Sequence, residues 1–304
     1  MWLLSFLIIA AFSWADLEDH LKKAPNKSMA YSMPGIDLIY IINLDQRPEK
    51  LKSSLDQLSP FQIYPYRFSA VNGWELSLNT LNDVGLKYSL EMEGGILGTC
   101  YPLDGHFEPS HEIIQNYGQS YFCHCMARGT VGICLSHISV LQDAFDSGYE
   151  TIWVMEDDIE VLRDPRDIPN LITKLDQLVG SEHWDILYTD RDMRDANGNY
   201  TTTYYAGKRP DFLKFSSNDF AKKTLVSADF YEIGARSGAT SMIIRRSGIK
   251  KLLQYFKAHQ IFFPYDMEYI FPRGIKLYTV VEDIVSNLSK APSDNGSPNY
   301  LNKE

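Results

Sequence analysis

Apolar and polar stretches at the start of the chain predict a strand, a helix and a second strand. Residues 37–44 (DLIYIINL) form a nearly continuous apolar run rich in β-branched side chains, which is typical of a strand buried on both faces of a sheet. Pro48 begins a polar stretch in which leucines recur at helical spacing, so we expect a helix with this proline in its first turn. Residues 62–71 regain strand character and end at the turn signal Asn72-Gly73. The chain therefore opens with a β-α-β unit.

A buried helix and a buried strand follow in the middle of the chain. Within residues 132–148, apolar side chains recur at helical spacing between two glycines. Residues 151–155 (TIWVM) then predict a strand, and the acidic triplet Glu156, Asp157 and Asp158 follows directly at its carboxyl end. Ligands of open α/β sheets bind beyond the carboxyl ends of the strands. We therefore expect the acidic triplet to face a substrate crevice.

The remaining pattern completes one α/β domain, which we place at residues 37–290. Residues 16–36 are mostly polar and predict a linker, and residues 291–304 predict a tail. Within the domain, the segments 74–128 and 191–225 lack a sustained period and are predicted insertions or loop regions. Further strands are predicted at 184–188, 239–244 and 275–281, and further helices at 168–178 and 249–256.

The N-terminus carries an apolar run at residues 2–14 that ends in small residues at the positions a signal peptidase reads. This pattern predicts a cleavable signal peptide at residues 1–15. No Lys or Arg precedes the run, so a buried or frayed N-terminal helix is the alternative. The run is shorter than the roughly 20 residues that span a bilayer, and no later stretch is long and apolar enough. We expect no permanent membrane span.

Charge changes this picture by excluding one class of partner. The 304 residues carry 29 Lys and Arg against 39 Asp and Glu, a formal net charge of -10. Nucleic-acid backbones are bound by basic surfaces, so no nucleic-acid partner is expected. A nucleotide diphosphate could bind together with a divalent cation, which acidic residues would hold.

Four cysteines lie close together in the sequence. In a secretory context, an even number permits two disulfides with three possible connectivities, between which the sequence does not choose. The Cys123-His124-Cys125 run also suggests zinc, but it lacks the paired C-x-x-C spacing of common zinc modules. We favour disulfides or buried thiols over zinc for Cys100, Cys123, Cys125 and Cys134.

The acidic triplet is the strongest candidate for chemistry. Glu156 and Asp158 are separated by one residue, so their oxygens can converge on a hard divalent cation while phosphate oxygens and water fill the remaining positions. Such a cation would act as a Lewis acid on a diphosphate leaving group. A solvated acidic loop is the alternative, and the position directly after a buried strand favours the metal site.

Four separated segments of the chain resemble, in the same order, the motifs of one enzyme family. Residues 42–47 (INLDQR), 70–73 (AVNG), 132–137 (GICLSH) and 154–158 (VMEDD) resemble elements of glycosyltransferase family 25 in sequence and spacing. That family includes lipooligosaccharide and procollagen galactosyltransferases. The similarity is clear over residues 37–160 and more diffuse up to about 290, where Gly238-Ala239 and Asp266 resemble later family elements.

The resemblance implies a GT-A type fold, that is, a nucleotide-sugar-binding α/β fold with a mixed, mainly parallel central sheet. It also implies a UDP-hexose donor, manganese or a similar divalent cation, and inversion at the anomeric carbon. Galactose is the expected sugar, with glucose next. A hydroxyl of a glycan, lipooligosaccharide or glycoprotein would be the acceptor.

An inverting transfer requires a general base within hydrogen-bond reach of the acceptor hydroxyl. Asp266 is the first candidate, and Asp190, which follows a predicted strand, is the second. Either residue could instead cap a helix or lie on a solvated loop.

Other residues near the motifs are expected to bind the nucleotide sugar or to support the site. Asn43 and Asp45 are expected to contact the uridine, Arg47 to lie near the diphosphate, and Asp157 to belong to the same nucleotide-sugar site. The alternatives are that Asp45 caps the following helix and that Arg47 is a surface residue.

The pair Ser136-His137 lies on the predicted helix that packs against the sheet. For a single histidine in this position, we favour a structural role that orients the acidic loop over direct chemistry.

Together these observations predict an inverting, metal-dependent hexosyltransferase. The alternatives are a metal-dependent hydrolase that uses the same acids, and a secreted, non-catalytic binding module on the transferase fold. The predicted location is the secretory pathway, in the endoplasmic reticulum lumen or outside the cell. The alternative is the cytoplasmic face of a membrane, held there by an uncleaved N-terminal segment.

Overall fold

A computed structural model describes residues 17–104, 108–201, 207–212 and 220–302. The predicted signal peptide at 1–15 lies outside the described residues. In the part of the chain that is described, no helix combines the length and the apolar character needed to cross a membrane.

Among the described residues, strands and helices alternate at the start of the chain, and four short strands then follow one another between the second and the third helix. The helices are α1 (Pro48–Leu58), α2 (Leu78–Val84), α3 (Arg128–Asp146), α4 (Ile168–Val179), α5 (Arg246–His259) and α6 (Tyr265–Glu268). The strands are β1 (Leu38–Asn43), β2 (Tyr66–Ser69), β3 (Leu86–Lys87), β4 (Leu97–Cys100), β5 (Ser110–Ile113), β6 (Ser120–Cys123), β7 (Thr151–Glu156), β8 (Ile159–Val161), β9 (Ile186–Tyr188), β10 (Lys223–Leu225), β11 (Phe230–Ile233), β12 (Ser241–Arg245), β13 (Leu277–Val280) and β14 (Val285–Asn287).

Eight of these strands form the central sheet, in the order β10-β11-β13-β9-β12-β7-β1-β2. The pairs β2-β1, β1-β7 and β9-β13 are parallel, and the first of them belongs to the predicted opening β-α-β unit. The other four pairs are antiparallel. The sheet is therefore mixed, and the prediction that it is mainly parallel is wrong. The chain enters β12 at Ser241, which pairs with Met155 near the end of β7. Strand β12 is therefore antiparallel to both of its neighbours, β7 and β9.

The core lies on both faces of the central sheet. In β1, Tyr40 packs in the cluster that contains α3 and α5, whereas Ile41 packs in the cluster that contains α1 and α4. Both side chains are fully buried, which explains the nearly continuous apolar run of this strand. Each fully buried side chain of this size contributes roughly 1.5–3 kcal/mol of hydrophobic stabilisation. The two layers of helices therefore fix the sheet that positions the site.

The segment 74–128, predicted as an insertion or loop region, is more ordered than its pattern indicated. It contains α2 and a small antiparallel sheet of β3, β6, β4 and β5. These strands have two to four residues each, so none is long enough to produce a recognisable period.

The predicted linker and the predicted tail both pack against the domain. Leu17 and Ala24 are buried, and the Lys22 ammonium donates a hydrogen bond to the Ala70 carbonyl oxygen at 2.8 Å. At the other end, Asp294 is buried, and the Tyr300 hydroxyl accepts a hydrogen bond from the Asn72 side chain at 2.9 Å. Both segments are polar because they lie on the surface, and specific hydrogen bonds hold them there.

The cysteines are free thiols in the structure. Cys100, Cys123 and Cys134 are buried and Cys125 is exposed. The Cys123 and Cys125 sulfur atoms lie 3.0 Å apart.

Candidate active site

A cavity of about 440 Å³ opens at the carboxyl ends of β1 and β7, where the sequence places the acidic triplet. This position agrees with the general rule for ligand sites in open α/β sheets. Most of the walls come from seven parts of the chain: α1 through Lys50, the turn 70–74, α3 through residues 129–137, the triplet 156–158, the segments 237–240 and 264–266, and the segment 287–295.

The backbone of the acidic triplet is held from two sides. The Ser54 hydroxyl on α1 donates a hydrogen bond to the Asp157 carbonyl oxygen at 2.8 Å. The Leu288 amide donates one to the Asp158 carbonyl oxygen at 2.7 Å. Glu156 is the last residue of β7, so the sheet itself fixes its position. A turn that is held by these two hydrogen bonds therefore presents the three carboxylates to the cavity.

Negative charge exceeds positive charge around the triplet. The Lys50 ammonium lies 3.7 Å from an Asp158 oxygen and 3.9 Å from an Asp157 oxygen. Burial and the neighbouring Glu156 carboxylate nevertheless raise the pKa of Asp158 to about 7. Burial also raises the pKa of Asp157, although Lys50 opposes that shift. A cation bound among these carboxylates would offset their mutual repulsion.

The donor set suits a hard divalent cation. Glu156 and Asp158 both line the cavity, and carboxylate oxygens are the ligands such cations prefer. Within the described ranges, no three or more His, Cys, Asp or Glu side chains are already gathered around one point. Two carboxylates alone would leave positions of such a cation open to phosphate oxygens and water.

His137 on α3 contacts the triplet from inside the fold. Its Nε2 atom lies 3.1 Å from a Glu156 oxygen, and its ring stacks on Tyr265 with centroids 4.2 Å apart. The imidazole is buried, and its Nδ1 atom has no hydrogen-bond partner among the described residues. This geometry suits a residue that orients Glu156.

Ser136 on α3 fixes the neighbouring turn. Its hydroxyl accepts a hydrogen bond from the Val71 amide at 2.8 Å and donates one to the Gly132 carbonyl oxygen at 2.7 Å. A β-carbon on Gly132 would lie 2.5 Å from the Gly73 nitrogen, so helix and turn touch backbone to backbone. The matched motifs at 70–73 and 132–137 are therefore two sides of one contact.

Asn43 is buried at the end of β1 rather than exposed to the cavity. Its side-chain amide donates hydrogen bonds to an Asp157 oxygen at 2.6 Å and to the Arg47 carbonyl oxygen at 2.9 Å. Its side-chain oxygen accepts a third from Arg67 at 2.9 Å. Asn43 is thus placed to orient Asp157.

The structure excludes the alternative roles of Asp45 as a helix cap and of Arg47 as a surface residue. Asp45 does not cap α1, because the residue at the N-cap is Arg47; Asp45 instead accepts hydrogen bonds from Arg67 and Ser69. These bonds lower the pKa of Asp45, although burial opposes them. Arg47 is buried, so it is not a surface residue, and its Nε atom lies 3.1 Å from an Asp294 oxygen.

Asp266, at the start of α6, lines the cavity on the side away from β1. One of its oxygens accepts a hydrogen bond from the Gly238 amide at 2.6 Å. Burial raises the pKa of Asp266, and the Glu156 carboxylate adds to that increase. The structure therefore brings Asp266 and the acidic triplet to one cavity.

Asp190 is placed elsewhere. Its carboxylate is buried against the Arg236 guanidinium, with oxygen-to-nitrogen distances of 2.6 and 3.2 Å, and it accepts a further hydrogen bond from Ser286 at 2.8 Å. It is not among the described residues that line the cavity. Both carboxylate oxygens of Asp190 accept hydrogen bonds, so this geometry suits an anchor, that is, a residue that holds Arg236 in place.

Sequence reasoning missed Lys50, Trp74 and Asp294. Lys50 lies one turn of α1 beyond Arg47, a spacing that puts both cations on one face of the helix. Trp74 follows the 70–73 motif directly. Asp294 lies in the segment predicted as a tail and carried no sequence signal.

Comparisons with known proteins bear on the part of this site that lies before residue 268. The profile of the family described as "Glycosyltransferase family 25 (LPS biosynthesis protein)" matches residues 36–268. A protein of Aedes aegypti named "Glycosyltransferase 25 family member" is 27% identical over 176 residues, which are 58% of this chain and 24% of that protein. A protein of Drosophila melanogaster with the same name is 26% identical over 176 residues, with the same shares.

A mammalian relative carries a different name. The protein of Mus musculus named "Inactive glycosyltransferase 25 family member 3" is 24% identical over 172 residues, which are 57% of this chain and 24% of that protein. The matched segment thus spans about a quarter of the length of these curated relatives. The profile match covers well over half of the chain and includes the acidic triplet and Asp266. The chain belongs to glycosyltransferase family 25.

Proposed function

We propose that this chain transfers a hexose, galactose or glucose, from a UDP-sugar to a hydroxyl of a glycan, lipooligosaccharide or glycoprotein. We propose further that the transfer is metal-dependent, that it inverts the anomeric carbon, and that the domain is of the GT-A type. One observation carries the proposal: in a member of a glycosyltransferase family, the acidic triplet and Asp266 line the same cavity at the carboxyl ends of β1 and β7.

The residues of the triplet divide into two roles in this proposal. Glu156 and Asp158 would hold the cation, and Asp157 would contact the nucleotide sugar. When bound there, a divalent cation such as manganese supplies Lewis-acid stabilisation of the diphosphate leaving group. Asn43 orients Asp157 and His137 orients Glu156, through the hydrogen-bond contacts described above.

Asp266 is the proposed general base. The Gly238 amide holds one of its oxygens, so the carboxylate has a fixed direction. Because burial raises its pKa, the carboxylate binds a proton more readily than an exposed aspartate and is better suited to accept the proton of the acceptor hydroxyl. Inversion follows if this proton is removed on the sugar face opposite the diphosphate.

Asp266→Asn tests the base directly. The variant keeps the size of the side chain, so we expect it to bind UDP like the wild type while hexose transfer to a defined acceptor falls by about 10²–10⁴-fold. Transfer is measured by the radiolabelled hexose incorporated, and UDP binding by calorimetry. Unchanged transfer in this variant would show that another group is the base.

A non-catalytic binding module is the second candidate, because a mammalian relative is named as inactive. Such a module would bind UDP or a glycan and transfer nothing. Glu156 and Asp158 both line the cavity of this chain, which favours metal-dependent chemistry over such a module. A hydrolase, the third class, would release free hexose from the UDP-sugar at the same rate with and without acceptor.

We place the enzyme in the secretory pathway, in the endoplasmic reticulum lumen or outside the cell. The apolar run at residues 2–14 supports this location. N-terminal sequencing of the protein made in eukaryotic cells tests it: cleavage after Ala15 is expected. An intact N-terminus in a membrane-bound protein would favour the cytoplasmic face.

A further inference from the structure

The segment 288–302 closes one side of the cavity, and we call it the C-terminal strap. Three contacts hold it down. The Leu288 amide bonds to Asp158, the Trp74 indole donates a hydrogen bond to the Asp294 carbonyl oxygen at 2.9 Å, and Tyr300 accepts one from Asn72 at 2.9 Å. The strap is therefore built onto the elements that form the proposed donor site.

Asp294 projects from the strap towards the two cations of α1. One oxygen of its carboxylate lies 3.1 Å from the Arg47 Nε atom and 3.8 Å from the Lys50 ammonium. The other oxygen is buried, and no described residue forms a hydrogen bond with it. The side chain is only 8% exposed, and Asp294 lines the cavity. Burial of a carboxylate oxygen without a hydrogen-bond partner destabilises the folded protein, so its presence in a cavity points to a functional role.

These two cations lie at and behind the wall of the cavity. Among the described residues that line the cavity, Lys50 is the only Lys or Arg. Arg47 lies behind it, 3.3 Å from the exposed Glu49 and 3.1 Å from Asp294. A diphosphate that enters next to the acidic triplet would find side-chain cations in this pair, in addition to the divalent cation of the proposed function.

We propose that Asp294 is a resident counter-ion that occupies the place of the donor's diphosphate, so that UDP must displace its carboxylate from Arg47 and Lys50. This inference rests on the proposed function. A carboxylate and a phosphate present similar oxygens to guanidinium and ammonium groups, and both cannot occupy the same pair. The strap thus makes each binding event an exchange of one anion for another and lowers affinity for the nucleotide.

Asp294→Asn separates this role from a structural one. Asparagine keeps the shape and leaves the backbone contact with Trp74 in place, but it no longer competes as an anion. We expect the variant to bind UDP in the presence of Mn²⁺ about tenfold more tightly than the wild type, because removal of one like charge near a polyanion changes affinity on this order. Calorimetry measures the dissociation constants. Asp56→Asn, the same chemical change at an exposed residue of α1, is the control and should leave the affinity unchanged.

Hydrogen exchange of the wild-type protein provides a second measurement that needs no variant. If UDP with Mn²⁺ displaces Asp294, amides of the strap should exchange faster in the complex, while those of the turn 70–74 should exchange more slowly. Slower exchange of the strap would indicate instead that Asp294 helps to hold the ligand.

The outcomes distinguish the two proposals. UDP binding by both proteins, with equal or weaker affinity in Asp294→Asn, overturns the counter-ion role and leaves the proposed function intact. Binding by the variant alone supports the role in its strongest form. Absence of binding by both proteins contradicts the proposed function and this inference together.

Discussion

Asp190→Asn is the substitution that best separates an anchor from a catalyst. In the wild-type protein, the Asp190 carboxylate and the Arg236 guanidinium form a two-point ion pair, and their side chains are 1% and 3% exposed. Asparagine would fill the same space but leave the Arg236 charge buried without its partner. Arg236 also lies over the Tyr188 ring, with 4.4 Å between the guanidinium carbon and the ring centroid, so it has no easy route to solvent.

The expected cost follows from this burial. Removal of one partner of a buried ion pair destabilises a protein by about 3–5 kcal/mol, because the other charge stays desolvated and uncompensated. Surface pairs contribute about 0–1 kcal/mol. The exposed pair Asp56–Lys52, with side chains 62% and 76% exposed, is the matched comparison, so Asp56→Asn should change stability by less than about 1 kcal/mol.

Urea unfolding followed by tryptophan fluorescence measures both free energies. The double variant Asp190→Asn with Arg236→Met should lose less stability than the two single variants added together, because the second change removes the uncompensated charge. The remaining folded Asp190→Asn protein should keep its hexose transfer per folded molecule. Wild-type stability combined with lost transfer would refute the reasoning and make Asp190 the general base.

Two further predictions concern packing and thiol reactivity. Gly132→Ala places a β-carbon 2.5 Å from the Gly73 nitrogen and 2.6 Å from the Val71 carbonyl oxygen, so we expect a loss of roughly 1–3 kcal/mol in urea unfolding. Gly296→Ala, where nothing lies within 4 Å, should stay within about 0.5 kcal/mol of the wild type, and equal losses in both would contradict the contact. A hydrogen bond from Cys123 lowers the pKa of Cys125 to about 7, so its alkylation by iodoacetamide should accelerate as pH rises through about 7, because the thiolate is the reactive form. Mass spectrometry locates the label, and acceleration only above about pH 8.5, the range of an ordinary free thiol, would contradict the shift.

The parts of the fold that the sequence predicts well are those with strong local patterns. The apolar runs of β1 and β7 identify buried strands, and Pro48 marks the start of α1 at the residue where the helix begins. The position of the acidic triplet follows from β7 alone. Burial of one face of an element makes apolar residues recur at the period of the helix or strand, and burial of both faces of a strand makes the whole run apolar.

Other features depend on contacts that no local pattern records. Strands β4 and β6 are four residues long and pair across about twenty residues of sequence. Asp190 meets Arg236 at a separation of 46 residues, which no local pattern reveals. From the sequence alone, an aspartate directly after a strand is therefore a catalytic candidate, whereas the fold pairs it with Arg236. The strap is polar and aperiodic, and single hydrogen bonds determine its path. Its carboxylate at Asp294 could be placed only by the folded chain.

The measurement that tests the central claim most directly is UDP release from UDP-galactose and from UDP-glucose, with Mn²⁺ or with chelator, by the wild-type chain and by Asp158→Asn. The account predicts release that depends on Mn²⁺ in the wild type and is lost in the variant. No release from either donor, together with no Mn²⁺-dependent binding of UDP, would contradict the account and leave the non-catalytic module as the better description.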